Sequence, residues 1–416
     1  MSERYVAYVG TYTHGSSIGI HICDVNVEEG TLVERKVVPI NNSSYVVQSK
    51  NKKYLYSIAD EGVAVFRILK DGDLELINKV DIDGMRGCYL SVDAEGQYLN
   101  VAGYHDGKVT VVHTHKDGRL GRVVAGVFHK GLGSVAERNF RPRVSCVVPT
   151  PDNRFICAVD NGIDQVKVYK FNKSKDKLLL VDILRCDLES GPRELVFDKS
   201  GKFAYVICEL ARKIDVYRYA SDDKNVYFER IQSVSTILGE VDPRHDAAEA
   251  ITLAPDGKHL FCTTAGINST TMFEIDQETG MLTPEFCLPT SGAYPKDIMI
   301  FPDGKHMAVV NHESNSITTF AIDYENDVIK INFSKGEIAD IKNNFDAETL
   351  EIANHFTNLL NDPTFTRNFD LNIREMNRNI NRRMNLFHEF TVSELRRKGV
   401  KDPVKYIGDF KPIRGK

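Results

Sequence analysis

Two clusters of charged side chains in this 416-residue chain have the residue types that chemistry on an anionic molecule needs. The first is the segment HKGLGSVAERNFRPR, residues 129–143, which gathers His129, Lys130, Arg138, Arg141 and Arg143 in one glycine-interrupted loop. Converging guanidinium groups hold a phosphate or a carboxylate through charge-assisted, often bidentate hydrogen bonds. The plainer alternative is a loop whose arginines pair with neighbouring carboxylates, and Glu137 inside the loop speaks for it. The second cluster is Arg193 in GPRE and Glu209 in ICEL, sixteen residues apart. That spacing means nothing as a linear motif. It acquires meaning only if the fold brings both residues to one place, where a carboxylate raised in pKa by burial could act as a base and the arginine could supply charged donors. The competing reading is a structural ion pair.

The histidines divide by context. His105 in GYHDG and His312 in VNHES stand at the polar tips of apolar runs, where either could face a substrate, and His105 could serve as a base. His113 and His115 lie two apart and so share one face of a strand, but at an outer end leading into a turn, which reads as solvent-exposed surface rather than a metal site. His259 and His306, both in DGKH, occupy packing positions. There is no P-loop, no G-x-S-x-G and no strand-to-helix dinucleotide pattern, so neither a cofactor nor a metal is expected.

What positions these residues is a repeat. ERYVAYVGTYT, NKKYLYSIADEG, EGQYLNVAGYHDG, DNRFICAVDNG, GKFAYVICELA, DGKHLFCTTAG and DGKHMAVVNHE are seven copies of one sentence: turn, aromatic or histidine anchor, apolar run, polar tip. The anchors Tyr5, Tyr54, Tyr98, Phe155, Phe203, His259 and His306 are spaced by 49, 44, 57, 48, 56 and 47 residues, a period that fits blade-sized β units. Each copy has a short apolar run before it, as in LVF at 195–197, and an alternating strand after it, as in KIDVYRY at 213–219, followed by a more polar strand. Four strands per repeat predict an all-β, seven-bladed β-propeller over residues 1–344, with the polar tips Asp160, Glu209 and Asn311 near one end of the central channel. The chain begins with the second strand of its first blade, so the missing strand must come from beyond residue 333, and the weak strand GEIADIK at 336–342 is the candidate.

Over 345–416 the pattern turns helical. Asp346 is a candidate N-cap, Leu350, Ala353, Phe356 and Leu360 recur at helical intervals, as do Ile373, Met376, Ile380, Phe387 and Phe390, and Gly399 is a plausible stop. This C-terminal α-helical extension could pack on the propeller, mediate self-association or hold a protein partner, or cover a substrate.

Composition narrows the classes. With 42% hydrophobic and 27% charged residues and a net charge of −5, neither a nucleic-acid nor a membrane-surface role is supported. No run of 18 apolar residues occurs, and the eight dispersed cysteines without a C-x-x-C pair read as buried thiols of a cytoplasmic protein.

YVGTYT with GIHICDV, GPRELVFDKSGKFAYVICEL, APDGKHLF and YPKDIMIFPDGKHMAVVNHESNSITTF, taken in order, resemble the lactonase family of seven-bladed propellers, which contains a class of 6-phosphogluconolactonases and related fungal carboxymuconate cycloisomerases. The likeness runs from about residue 4 to 335. It implies a catalytic face with a histidine in the loop before the fourth blade, an arginine in G-P-R, a glutamate in N-E-L and an arginine in S-N-R-G. Arg193 matches the first arginine, and Glu209 matches the glutamate with Cys208 in place of asparagine. Arg143 stands where the histidine is expected, Ser145 stands at a second histidine position, and Ala265 replaces the second arginine. Three functions therefore compete: a hydrolase that opens a small anionic sugar lactone, with 6-phosphogluconolactone one such substrate; an isomerase or lyase of a carboxylated ring acid; and a propeller without catalysis that serves as a binding module.

Overall fold

A computed structural model describes residues 5–134, 139–238 and 246–324 and the strand Val328–Asn332. The described residues form seven antiparallel sheets, six of four strands and one of three. Every anchor stands at or next to the start of a blade's second strand: Tyr5–Val9, Tyr54–Ala59, Tyr98–Gly103, Ile156–Asp160, Phe203–Cys208, His259–Ala265 and His306–Asn311. The seven-bladed propeller is thus as the repeat predicts. The three-stranded sheet is the first blade, which lacks its innermost strand among the described residues. The candidate closing segment 336–342 and the helical extension over 345–416 lie outside the described residues, as does Arg138.

The second strands are predominantly apolar because each is covered on both faces by neighbouring blades. All six residues of Phe203–Cys208 are buried. The core is distributed accordingly, as apolar clusters between successive blades rather than one central nucleus. Val206 and Cys208 of the fifth blade pack with Val159 and Val168 of the fourth, while Tyr205 and Ile207 pack with Leu260 and Phe273 of the sixth. All eight cysteines are free thiols, six of them buried.

The first strands of successive blades, Val46–Gln48, Tyr89–Val92, Val144–Pro149, Pro192–Phe197, Ala247–Leu253 and Pro295–Ile300, pack side by side around the channel. In the six blades whose first strand is described, its start pairs with the end of the second, as Pro192 does with Cys208 and Pro295 with Asn311. Side chains from the starts of first strands and the ends of second strands therefore gather at one mouth of the channel.

Candidate functional site

Four first strands carry a β-bulge at the same point, just inside this mouth. The register shifts between Val144 and Cys146, Pro192 and Glu194, Ala248 and Ile251, and Pro295 and Asp297. A bulge re-aims one side chain relative to the ladder. In the fourth to seventh blades the residues so placed are Ser145, Arg193, Glu249 and Lys296, and they meet.

Arg193 is clasped on three edges. Its Nη1 donates to Glu209 Oε2 at 2.7 Å, its Nη2 lies 2.6 Å from Glu249 Oε2, and its Nε donates to the Glu249 carbonyl at 2.9 Å. Its own carbonyl accepts from Ser145 Oγ at 2.6 Å. Glu249 has no exposed side-chain surface. Its Oε2 also accepts from Lys296 Nζ at 2.7 Å, and its Oε1 accepts from the Tyr294 hydroxyl at 2.9 Å. Asn161 Nδ2 donates to Glu209 Oε2 at 3.1 Å. Burial acts to raise the Glu249 carboxyl, but Arg193 and Lys296 outweigh it and hold the group below its ordinary value. Burial likewise acts to discharge Arg193, and Glu249 and Glu209 reverse it, so the guanidinium stays charged.

Beside this quartet lies a basic rim. Arg86 stacks over the Tyr12 ring at 5.4 Å, and Arg143 lies 5.3 Å over Tyr104 and 5.4 Å over Phe140 while Nη1 donates to the Tyr104 hydroxyl at 3.1 Å. Arg141 Nη1 donates to the His105 carbonyl at 2.9 Å. Among the described residues none of these three arginines makes an ion pair, and the Nε of Arg143 is buried without a hydrogen-bond partner. His105 sits among them. Burial first, then Arg86 and Arg141, push its imidazole below the usual histidine value, so it is neutral at pH 7.

The structure thus brings together Arg193 and Glu209, and separately His105, Arg141 and Arg143, on one mouth. His312 is exposed at the same mouth, with Tyr12 edge-on to it at 5.5 Å and Tyr294 at 6.0 Å. His129 is not brought there. Its ring is fully buried, with Nδ1 2.6 Å from Asp160 Oδ2, and burial lowers its pKa. Lys130 is exposed and contributes its carbonyl to Lys167 Nζ at 3.2 Å. His113 meets His115 and Tyr98 edge-on at the other end of its strand, while His259 and His306 pair with Asp256 and Asp303 of their own turns at 2.6 and 2.7 Å. No cluster of three or more metal-binding side chains occurs among the described residues.

Sequence reasoning missed Glu249, Lys296, Tyr294, Asn161, Tyr12 and Arg86. A signal existed for Lys296: YPK at 294–296 repeats GPR at 191–193, with both prolines opposite the last residue of a second strand. Nothing in AAEAITL marked Glu249.

Comparison with known proteins agrees with this architecture. The family described as Lactonase, 7-bladed beta-propeller matches residues 6–338. A 6-phosphogluconolactonase of Bacillus subtilis is 34% identical over 303 residues, covering 71% of this chain and 85% of its own. A 6-phosphogluconolactonase of Formosa agariphila is 29% identical over 313 residues, covering 70% and 85%. Among solved structures, the periplasmic gluconolactonase of Pseudomonas aeruginosa superposes with a TM-score of 0.75 at 26% identity, covering 79% of this chain and 95% of that one. Among the described residues no helix is long and apolar enough to cross a membrane.

Proposed function

Because the chain belongs to the lactonase family of seven-bladed β-propellers, we propose that it is a hydrolase that opens the ring of an anionic sugar lactone, with 6-phosphogluconolactone the leading substrate. The observation that carries this reading is the charged donor held rigid at the channel mouth: Arg193, fixed by Glu209 and Glu249 at 2.7 and 2.6 Å, beside a rim of three arginines without carboxylate partners among the described residues.

Ring opening by water needs a base to take a proton from the attacking water and a donor for the charge that develops on the carbonyl oxygen. A guanidinium has five N–H donors, and the bonds to Glu209 and Glu249 leave the second hydrogen of each Nη of Arg193 to receive that oxygen. Because the two carboxylates hold the arginine in place before the substrate arrives, little reorganisation is needed at the transition state. Neutral His105 is the base we favour, with Glu209 the alternative, since Glu209 Oε2 is already occupied by bonds from Arg193 and Asn161. Arg86, Arg141 and Arg143, stacked on aromatic faces, keep N–H edges for a phosphate or carboxylate on the substrate.

The test is proton release on paired lactones, glucono-1,5-lactone with and without its 6-phosphate, corrected for spontaneous hydrolysis. The reading expects turnover of the phosphorylated lactone with a higher kcat/KM, and loss of that preference in Arg143→Ala. Equal turnover of both lactones would refute the anionic-substrate part. No turnover of either would refute the hydrolase.

A further inference from the structure

The cluster at the mouth contains more than Arg193 and Glu209, to which the sequence points. Lys296 Nζ and Arg193 Nη2 are bound to the same oxygen, Oε2 of Glu249, at 2.7 and 2.6 Å. Two cationic donors on one carboxylate oxygen are close neighbours. A lactone presents them with two oxygens on one carbon, the carbonyl oxygen and the ring oxygen, and each needs a different service as the ring opens. The carbonyl oxygen gathers negative charge; the ring oxygen must leave as an alcohol and needs a proton. A guanidinium stays protonated and can stabilise charge without giving up a proton, whereas a primary ammonium can give one.

Resting on the hydrolase reading above, we propose that Lys296 is a catalytic residue, the general acid that protonates the departing ring oxygen, and that Glu249 is a positioning residue that seats Lys296 beside Arg193. The water oxygen bonds to the carbonyl carbon while His105 or Glu209 takes its proton. The bond from that carbon to the ring oxygen then breaks, and the ring oxygen takes a proton from the Lys296 ammonium. The base gives its proton to solvent and the lysine takes one back, which cancel, and the carboxylic acid product ionises, so one proton is released per turnover.

The surroundings of Lys296 suit this role. Its side chain is about two-thirds covered, at 32% exposure, and its Nζ lies 5.1 Å over the Tyr294 ring. Burial and then the Arg193 charge lower its pKa from the ordinary lysine value, with Glu249 and Glu209 acting the other way, which moves the ammonium toward readier proton donation. Tyr294 occupies the left-handed region at φ 59°, held there by Asn268 Oδ1 accepting from its N–H at 2.9 Å and by its carbonyl accepting from His312 N–H at 2.8 Å. A tyrosine in that conformation is uncommon, and strain of this kind collects where geometry serves a site. Here it delivers the phenol to the second oxygen of Glu249.

The experiment measures kcat and KM on 6-phosphogluconolactone for wild type, Lys296→Met, Lys296→Arg and Glu249→Gln, with thermal melts alongside. A general-acid role predicts a loss in kcat of about 100-fold in Lys296→Met, and no recovery in Lys296→Arg, whose guanidinium keeps the charge and the bond to Glu249 but does not give up its proton. Should Lys296→Met fail to fold, Lys296→Arg alone carries the test. Recovery of kcat to within about threefold of wild type by arginine would overturn the general acid and leave a charge. Of the charged groups around Lys296, Arg193 favours its discharge while Glu249, Glu209 and the neighbouring Asp297 oppose it, and Glu249→Gln removes the strongest of these carboxylates, so the alkaline fall of kcat/KM should move to lower pH; an unmoved limb would overturn the positioning role. A wild-type enzyme without turnover would instead refute the hydrolase reading itself.

Discussion

At the scale of single residues, Arg193 is the pivot, bonded to both Glu209 and Glu249. Arg193→Ala should lower kcat/KM for lactone hydrolysis by more than about tenfold, whereas His113→Ala, at the far end of its strand, should leave the rate unchanged. Steady-state kinetics on one lactone decide both. Arg193 and Glu209 could be singled out in advance because GPRE and ICEL sit in copies of the repeat and resemble a known pattern. Glu249 could not. A glutamate between alanines carries no sign that a bulge will bury it against two cations. His129 shows the converse: its place in a basic loop suggested ligand binding, yet its ring is enclosed against Asp160 at 2.6 Å. Composition of a loop does not reveal which side chains turn inward.

At the scale of elements, the repeat was legible because its anchors and turns are chemical necessities of the blade. The glycine in an outer turn shows why. Gly72, Gly118 and Gly280 have φ of 81°, 85° and 74°, and each presents its bare Cα to the anchor strand of the preceding blade, at Val6, Tyr54 and Phe203. The hydroxyls of Tyr8 and Tyr205 donate to the carbonyls of Gly72 and Gly280 at 2.9 and 3.1 Å, fastening blade to blade. A Cβ at Gly280 would stand 2.3 Å from the Phe203 ring. Gly280→Ala should therefore cost more than about 1 kcal/mol, read as a lowered midpoint in chemical denaturation. The bulges were not legible. They arise where a first strand must aim one residue at the mouth and the next along the channel wall, and this depends on pairing across the sheet, not on local residue preference.

At the scale of the whole molecule, carboxyls on the first strands couple stability to pH. Asp297 of the seventh blade acts on Glu194 of the fifth and raises its carboxyl further. Both are reached by water yet enclosed by protein, and this desolvation raises the Glu194 carboxyl to about 8 and the Asp297 carboxyl to about 6. A carboxyl whose pKa is raised by folding contributes stability below its unfolded value and loses it as pH rises through the folded value. Glu194→Gln should accordingly raise the melting temperature relative to wild type at pH 8 and make little difference near pH 4. Glu249 and His129 act oppositely: their folded values are depressed, so their contributions are lost as pH falls. The molecule should be most stable between these limits. The decisive comparison is proton release from 6-phosphogluconolactone, corrected for spontaneous hydrolysis, by wild type and by Glu209→Gln. Wild type should turn the lactone over and the variant, in which Arg193 loses one of its two carboxylates, should not; undiminished turnover in a folded Glu209→Gln protein would contradict the role given to this pair.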